Sequence, residues 1–406
     1  MAPSNSYSSR SSWVVLGALA VGAFSIEMGC KGDTKDDEQN LSEEARDVIQ
    51  GMLEDVWPLV VEPQLNAAAE AASALSDASD AWLAAEEAGT DFEAAQTSAQ
   101  TAWVEAMTRW QQVEVMQLGP AGSSLKVTGG ADIRDEIYSW PVTNECKVDQ
   151  VTAKLQWTED GFIDEALVNS KGLDALEVLL FSPRGENSCP TMVSINRDGV
   201  WDDLGVDGSA ASRAGYAVLL ADRVESDIER IRSGWEDGFA NDLATAGEPT
   251  SSFETELLGV NAIFDALFYL ETVVKDRKLG WPLGLTDCGQ EDCSGEVEST
   301  IAGGSNDWLA ANLTGFELLF TGGDEGLGMD DLLDSVGQAE LAETVLTNVG
   351  TSLASAEGMT GGVGEVSSEE LTGVHADLKG VTDLLKSDIA TVLTLQVPSE
   401  AAGDND

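Results

Sequence analysis

Histidine and cysteine, which hold many protein-bound transition metals, are scarce in this sequence. One histidine, His375, occurs among 406 residues, and the five cysteines form no Cys-x-x-Cys pair. Zinc sites and His-assisted nucleophilic catalysis depend on these side chains. The sequence also lacks His-Glu-x-x-His and Gly-x-Ser-x-Gly segments. These absences argue against a zinc enzyme and a serine hydrolase, and we assign no catalytic residue.

Basic residues are also few. The 21 Lys and Arg stand against 73 Asp and Glu, which gives a net charge of −52. Such a charge repels nucleic acids and anionic membranes and attracts cations. Hydrophobic residues make up 43% of the chain, enough for a substantial core. We therefore expect a folded protein that binds no nucleic acid.

The first 29 residues are typical of an export signal. Their apolar run, residues 13–26, is shorter than a membrane span and is followed by Gly29 and Cys30. A Gly-Cys pair before a polar tether, here residues 30–41, resembles a bacterial lipoprotein signal. This predicts lipid on Cys30 and a cell-envelope protein that contacts the membrane through that anchor alone. Lys31 favours the outer membrane, facing the periplasm, and a plain secreted protein is the alternative.

The remaining cysteines are even in number, as expected in an oxidising compartment. Cys288 and Cys293 lie five residues apart, which favours a local disulfide. Cys146 and Cys189 would then pair with each other. Four cysteines allow three connectivities, and the other two stay open at this point.

The hydrophobic pattern predicts helices and no strands. Apolar residues recur every three or four positions over residues 41–118 and again over 210–240 and later segments, without alternating β-branched runs. Residues 121–170 are expected to be largely irregular. Residues 184–208 are expected to form a polar loop, whose aspartates do not follow the EF-hand pattern and are taken as solvated.

These patterns predict an all-α fold of two helical-bundle halves packed together. The predicted boundaries are a signal peptide at 1–29, a polar tether at 30–41, an N-terminal half at 42–209, a C-terminal half at 210–398 and an acidic tail at 399–406. Four tryptophans are expected to pack in the core: Trp103, Trp110, Trp140 and Trp235.

The segment 171–181 holds two carboxylates, Asp174 and Glu177, at the start of an apolar run. A spacing of three places both on one face of a helix. Acids in the first turn of a helix also complement its dipole. The pair is therefore either a helix-start device or an oxygen-donor site for a hard cation. Two carboxylates alone make a weak site, and Glu114 and Glu298 are the candidates for further oxygen ligands.

Several short segments, taken in order, resemble the imelysin family. They are Trp103–Pro120, Ile137–Pro141, Lys171–Phe181, Leu279–Gly284, Val297–Ser299 and Asn312–Gly315. The resemblance covers most of residues 45–395. It implies an internally duplicated, all-helical protein that bacteria export, often as a lipoprotein.

For function, the resemblance implies a link to iron acquisition. The family signature is Gly-x-His-x-x-Glu; Gly172 and Glu177 match it, and Asp174 replaces the histidine. We expect the protein to bind iron or another divalent cation, or a metal complex, between its two halves, with an outer-membrane transporter as a candidate partner. The alternatives are a metal-dependent peptidase, which the missing histidine disfavours, and a non-catalytic interaction module of the envelope.

Overall fold

The computed structural model describes residues 41–402, and these contain helices and no strand. The predicted all-α fold is therefore confirmed. The described residues belong to one compact unit, and their division into halves at 209 and 210 stays a prediction. The predicted signal peptide and Cys30 lie outside the described residues.

Eighteen α-helices are found between residues 41 and 402. In chain order they are α1 (Glu43–Asp55), α2 (Glu62–Ala88), α3 (Phe92–Glu114), α4 (Ile133–Ile137), α5 (Glu145–Ala153), α6 (Phe162–Glu165), α7 (Gly172–Phe181), α8 (Ser194–Arg197), α9 (Val200–Gly234), α10 (Ala240–Ala244), α11 (Glu256–Leu267), α12 (Trp281–Leu283), α13 (Ser305–Thr321), α14 (Met329–Ser335), α15 (Ala339–Gly358), α16 (Ser368–Leu384), α17 (Ala390–Val392) and α18 (Ser399–Ala402).

Wider π-helical turns interrupt several of the long helices. They span Val56–Val61, Trp235–Phe239, Leu270–Gly280 and Leu385–Ile389. The first contains Pro58, which has no N–H to donate to the preceding turn. The chain continues there as a helix instead of breaking, so α1 and α2 form one long rod.

The helix α3 packs against three other helices. It forms a hairpin with α2, whose end is capped by Gly89 in the left-handed conformation at φ 67°. α2 also packs against α9, and α3 packs against α13 and against α7. The helix that carries Asp174 and Glu177, α7, therefore contacts both α3 and α9.

Large aromatic side chains fill the core between these helices. Trp103, Trp110 and Trp235 are almost completely buried, as predicted. The Trp103 indole N–H donates to the Leu173 carbonyl at 2.8 Å and so joins α3 to α7. Trp140 is only half-buried but packs against the core, and its ring centroid lies 5.8 Å from that of Trp281; its predicted place in the core is therefore confirmed in part.

The region 184–208 contains more helix than predicted. α8 lies inside it, and α9 begins at Val200 and continues past a non-helical turn at Gly205. Trp201 is buried, and the Arg213 guanidinium lies over its ring at 5.2 Å. Hydrophobic anchoring by one tryptophan thus outweighs the polar composition on which the loop prediction rested. Residues 121–170, which were expected to be largely irregular, also hold helices that were not predicted, such as α5 and α6.

Two disulfides confirm the favoured connectivity. Cys146 bonds Cys189, and Cys288 bonds Cys293. The first bond lies in a small hydrophobic cluster with Ile195, apart from the main core.

One further helical stretch, Glu256–Leu283, is as long and apolar as a membrane span, and 72% of its most apolar window is buried inside the protein.

Candidate functional site

The helix α7 is buried along nearly its whole length, and its first residue must be a glycine. Gly172 has φ 86°, and a Cβ there would lie 2.6 Å from the carbonyl oxygen of Ile137. A side chain would therefore clash with backbone as well as strain the left-handed conformation. The glycine of the signature thus allows α7 to start against the end of α4.

Asp174 is held by the loop that follows α4. Its Oδ2 accepts the Ser139 amide at 3.2 Å and the Ser139 hydroxyl at 2.9 Å, and it also accepts the Thr143 hydroxyl. Among the residues that the structure describes, its Oδ1 accepts a hydrogen bond only from the amide of the next residue, Ala175, at 3.2 Å. The start of the helix therefore accounts for the hydrogen bond to Oδ1, whereas the loop after α4 supplies all the hydrogen bonds described for Oδ2.

Glu177 lies one turn further along and contacts a distant part of the chain. Its Oε1 accepts the Ser299 hydroxyl at 3.0 Å and the amides of Ile301 and Ala302 at 3.1 and 2.8 Å. Its Oε2 accepts no hydrogen bond from any residue that the structure describes. Glu177 is beyond the first turn of α7, so the helix dipole does not explain it.

Both carboxylates are harder to ionise than usual. Burial raises the pKa of Asp174 from 3.8 to about 6, although the Thr143 and Ser139 hydrogen bonds oppose the shift. Burial also raises the pKa of Glu177 from 4.5 to about 7, and the nearby Asp174 charge adds to the increase. At neutral pH, the surroundings of Asp174 and Glu177 therefore stabilise the ionised carboxylates less well than water does.

Glu298 belongs to a buried ion pair beside this site. Its Oε1 lies 2.9 Å from the Lys278 ammonium and accepts the Tyr138 hydroxyl at 2.7 Å. Lys278 also donates to the side-chain oxygens of Gln111 and Asn312, at 2.6 and 2.8 Å. Burial nevertheless keeps the pKa of Glu298 above its ordinary value.

Glu114 also has a cationic partner. Its Oε1 accepts from Arg134 Nε at 2.8 Å and lies 2.5 Å from Arg134 Nη2. Tyr138 interacts electrostatically with Glu298, Glu114 and Asp174, so these groups share one polar region. The fold thus brings the four predicted acids into one network, in which Glu114 and Glu298 are ion-paired.

Several members of the network were missed as site residues. Lys278, Gln111 and Tyr138 are the clearest, although Tyr138 and Ser139 lie in one segment that carries the family resemblance and Asn312 lies in another. The available signal for Gln111, Tyr138 and Asn312 was their position in such segments, and Lys278 directly precedes another of them. The partners themselves are far apart in sequence, so spacing along the chain could not pair them.

The side chains around Asp174 and Glu177 suit a hard cation better than a soft metal. The groups that contact the pair are hydroxyls and amides, and its free oxygens are carboxylate oxygens. Among residues 41–402, no three or more His, Cys, Asp or Glu side chains form a metal-binding group. A cavity of about 660 Å³ adjoins the segment that binds Glu177; it is lined by residues 297–307, 361–362 and 364–365.

These features define an all-helical protein with a buried polar network at the meeting point of distant chain segments. The family model for imelysin (Peptidase M75) matches residues 61–391, and the chain belongs to the imelysin family. The resemblance identified from the sequence is therefore confirmed.

Two solved structures share the fold. One is an imelysin-like protein from Psychrobacter arcticum 273-4, with 17% identity, a TM-score of 0.63 and coverage of 88% of this chain and 99% of the other. The second, from Parabacteroides distasonis ATCC 8503, is named a "putative iron-regulated protein A precursor"; it has 15% identity, a TM-score of 0.65 and coverage of 87% and 96%. No curated protein matches the chain.

Proposed function

We propose that this protein is an exported binding protein for iron or metal acquisition, and that it takes up a hard cation or a small metal complex at Asp174 and Glu177. One observation carries the proposal. Each of these buried carboxylates has one oxygen anchored by three donors and a second oxygen without such anchoring. No Lys or Arg within residues 41–402 forms an ion pair with either acid.

A cation would relieve the repulsion within the pair. Buried charges without a partner are costly, and a positive ion between two carboxylates favours their ionised forms. Two protein carboxylates fill only part of the coordination shell of iron or calcium. Water or a chelating molecule in the adjoining cavity would supply the remaining ligands. The name of the Parabacteroides protein supports iron as the first cation to test.

Calorimetric titration of the tag-free protein with Fe²⁺, Fe³⁺ and Ca²⁺ tests the site. We expect wild type to bind at least one of these ions, and the Asp174→Asn/Glu177→Gln variant to lose that binding. Glu340→Gln/Glu343→Gln is the matched control, because these acids have the same spacing on α15 and are exposed. Equal binding by wild type and the Asp174→Asn/Glu177→Gln variant would remove the site.

The envelope location is a separate part of the proposal. Lipid on Cys30 would place the protein at the outer membrane, where a transporter is a suitable partner for a metal-binding protein. Cys30→Ser should move the protein from the membrane fraction to the soluble fraction of the producing cells. Unchanged membrane association in that variant would exclude a lipid anchor on Cys30.

A further inference from the structure

Lys278 lies in an oxygen-lined site of its own. Its ammonium is 2.6 Å from Gln111 Oε1, 2.8 Å from Asn312 Oδ1 and 2.9 Å from Glu298 Oε1. All four side chains are at most 2% exposed. We call these three oxygens the lysine cage. An ammonium donates three hydrogen bonds, so the cage satisfies it fully.

The oxygens of the cage are held in place by the fold. The Asn312 amide donates to the backbone oxygen of Gln111 at 2.7 Å and to its Oε1 at 2.8 Å. This arrangement turns the carbonyl oxygen of Asn312 towards Lys278. Three separate elements, α3, α13 and the segment after α12, supply the oxygens, and the π-helical turn before α12 supplies the lysine.

The chemistry of the lysine cage is that of a cation site. Carboxylate oxygens and the side-chain oxygens of Asn and Gln are ligands that proteins use for Ca²⁺. Glu298 also has a second oxygen, Oε2, that is buried without a hydrogen-bond partner among the described residues. A free cation would therefore meet suitable ligands here if the ammonium were absent.

We infer that Lys278 is an internal counter-ion, whose ammonium fills the lysine cage and closes it to external cations. The network then takes up a single cation, at Asp174 and Glu177. Only the statement that Asp174 and Glu177 take up this single cation rests on the proposed function; the role of Lys278 does not. Glu298 is followed directly by Ser299, which donates to Glu177, so the cage also positions one wall of the proposed site.

Counting bound Ca²⁺ by equilibrium dialysis tests this role. Wild type is expected to bind one equivalent, and Lys278→Met, which keeps the length of the side chain without its charge, is expected to bind two. Lys278→Met/Glu298→Gln removes the carboxylate as well and should return to one. Lys379→Met is the matched control, because this lysine on α16 forms a partly exposed ion pair with Asp383; it should also bind one.

The outcomes separate the two proposals. If wild type binds no Ca²⁺ and Lys278→Met binds one, calcium binding at Asp174 and Glu177 is refuted, the iron titrations alone then decide that site, and the internal counter-ion stands. If Lys278→Met binds no more Ca²⁺ than wild type, the counter-ion role is overturned.

A second measurement covers the case in which Lys278→Met does not fold without calcium, because this variant leaves the buried carboxylate of Glu298 without its ion-pair partner. Ca²⁺ should then restore a cooperative melting transition to Lys278→Met and give no comparable gain in Lys278→Met/Glu298→Gln. Absence of that difference would likewise overturn the inference.

Discussion

Replacing Glu177 with glutamine should flatten the pH dependence of folding stability around neutrality. Glutamine keeps an oxygen that can accept from Ser299, Ile301 and Ala302, but it cannot ionise. The substitution therefore removes one buried titration and leaves the anchored segment largely in place. Any change in pH dependence then reports the charge of Glu177.

The sign follows from the raised pKa. Folding raises the pKa of Glu177 from 4.5 to about 7, so the folded protein binds more protons than the unfolded chain between these values. The contribution of Glu177 to the free energy of unfolding is then fully present below the ordinary pKa of 4.5, and it is lost as the pH rises through the pKa of the folded protein, about 7. A shift of this size corresponds to roughly 3 kcal/mol in the free energy of unfolding.

Urea unfolding at a series of values between about pH 5 and pH 8 measures this difference, in a calcium-free buffer. Wild type should lose roughly 2–3 kcal/mol more than Glu177→Gln across the range. Glu93→Gln, at an exposed position on α3, controls for the loss of one carboxylate and should follow wild type. Parallel curves for wild type and Glu177→Gln would refute the assignment of an uncompensated buried charge to this residue.

Three further predictions concern packing, disulfides and cation linkage. Gly315→Ala should destabilise the protein by about 1–3 kcal/mol or more, because a Cβ there would lie 2.2 Å from the Gln112 carbonyl oxygen. The control is Gly350→Ala on α15, which has open space around it and should be neutral or stabilising by up to about 1 kcal/mol. Equal melting temperatures of the two variants would contradict the predicted difference. Removing the Cys146–Cys189 disulfide, with a sequence separation of 43, should lower the free energy of unfolding by about 4 kcal/mol, and removing Cys288–Cys293, with a separation of 5, should lower it by about 2 kcal/mol. Urea unfolding of the two paired Cys→Ser variants tests this order. A reversed order would show that loop length does not control the stabilisation by these disulfides. Added Ca²⁺ should raise the melting temperature more at about pH 8 than at about pH 5, because protons compete for the carboxylate pair; a pH-independent effect would place the bound ion elsewhere.

The helical class and the order of the long helices were predictable from the sequence. Helical periodicity depends on local spacing, so the pattern over residues 41–118 predicted the region of α1 to α3, and the pattern over 210–240 predicted the long part of α9. The start of α9 was missed because Trp201 lies in an acidic stretch, where composition suggested solvent. Burial of that tryptophan against Arg213 is a contact across the fold, which local periodicity does not encode.

The candidate acids were also found from the sequence, through the signature segment around Gly172. What the sequence could not show was their different states. Asp174 and Glu177 are buried and have no basic partner within residues 41–402, whereas Glu298 is paired with Lys278. A lysine and a glutamate separated by twenty residues pair only when the intervening chain returns to the same place.

The sequence by itself therefore determined the all-helical class, the favoured disulfide pairing and the position of the acidic pair, because these depend on neighbouring residues or on a recognisable segment. The tertiary structure decided which of the four carboxylates have a cationic partner among residues 41–402 and which do not. That property depends on which side chains and backbone groups surround each carboxylate, and these come from segments as far apart as residues 139–143 and 299–302, which meet only when the chain packs around α7.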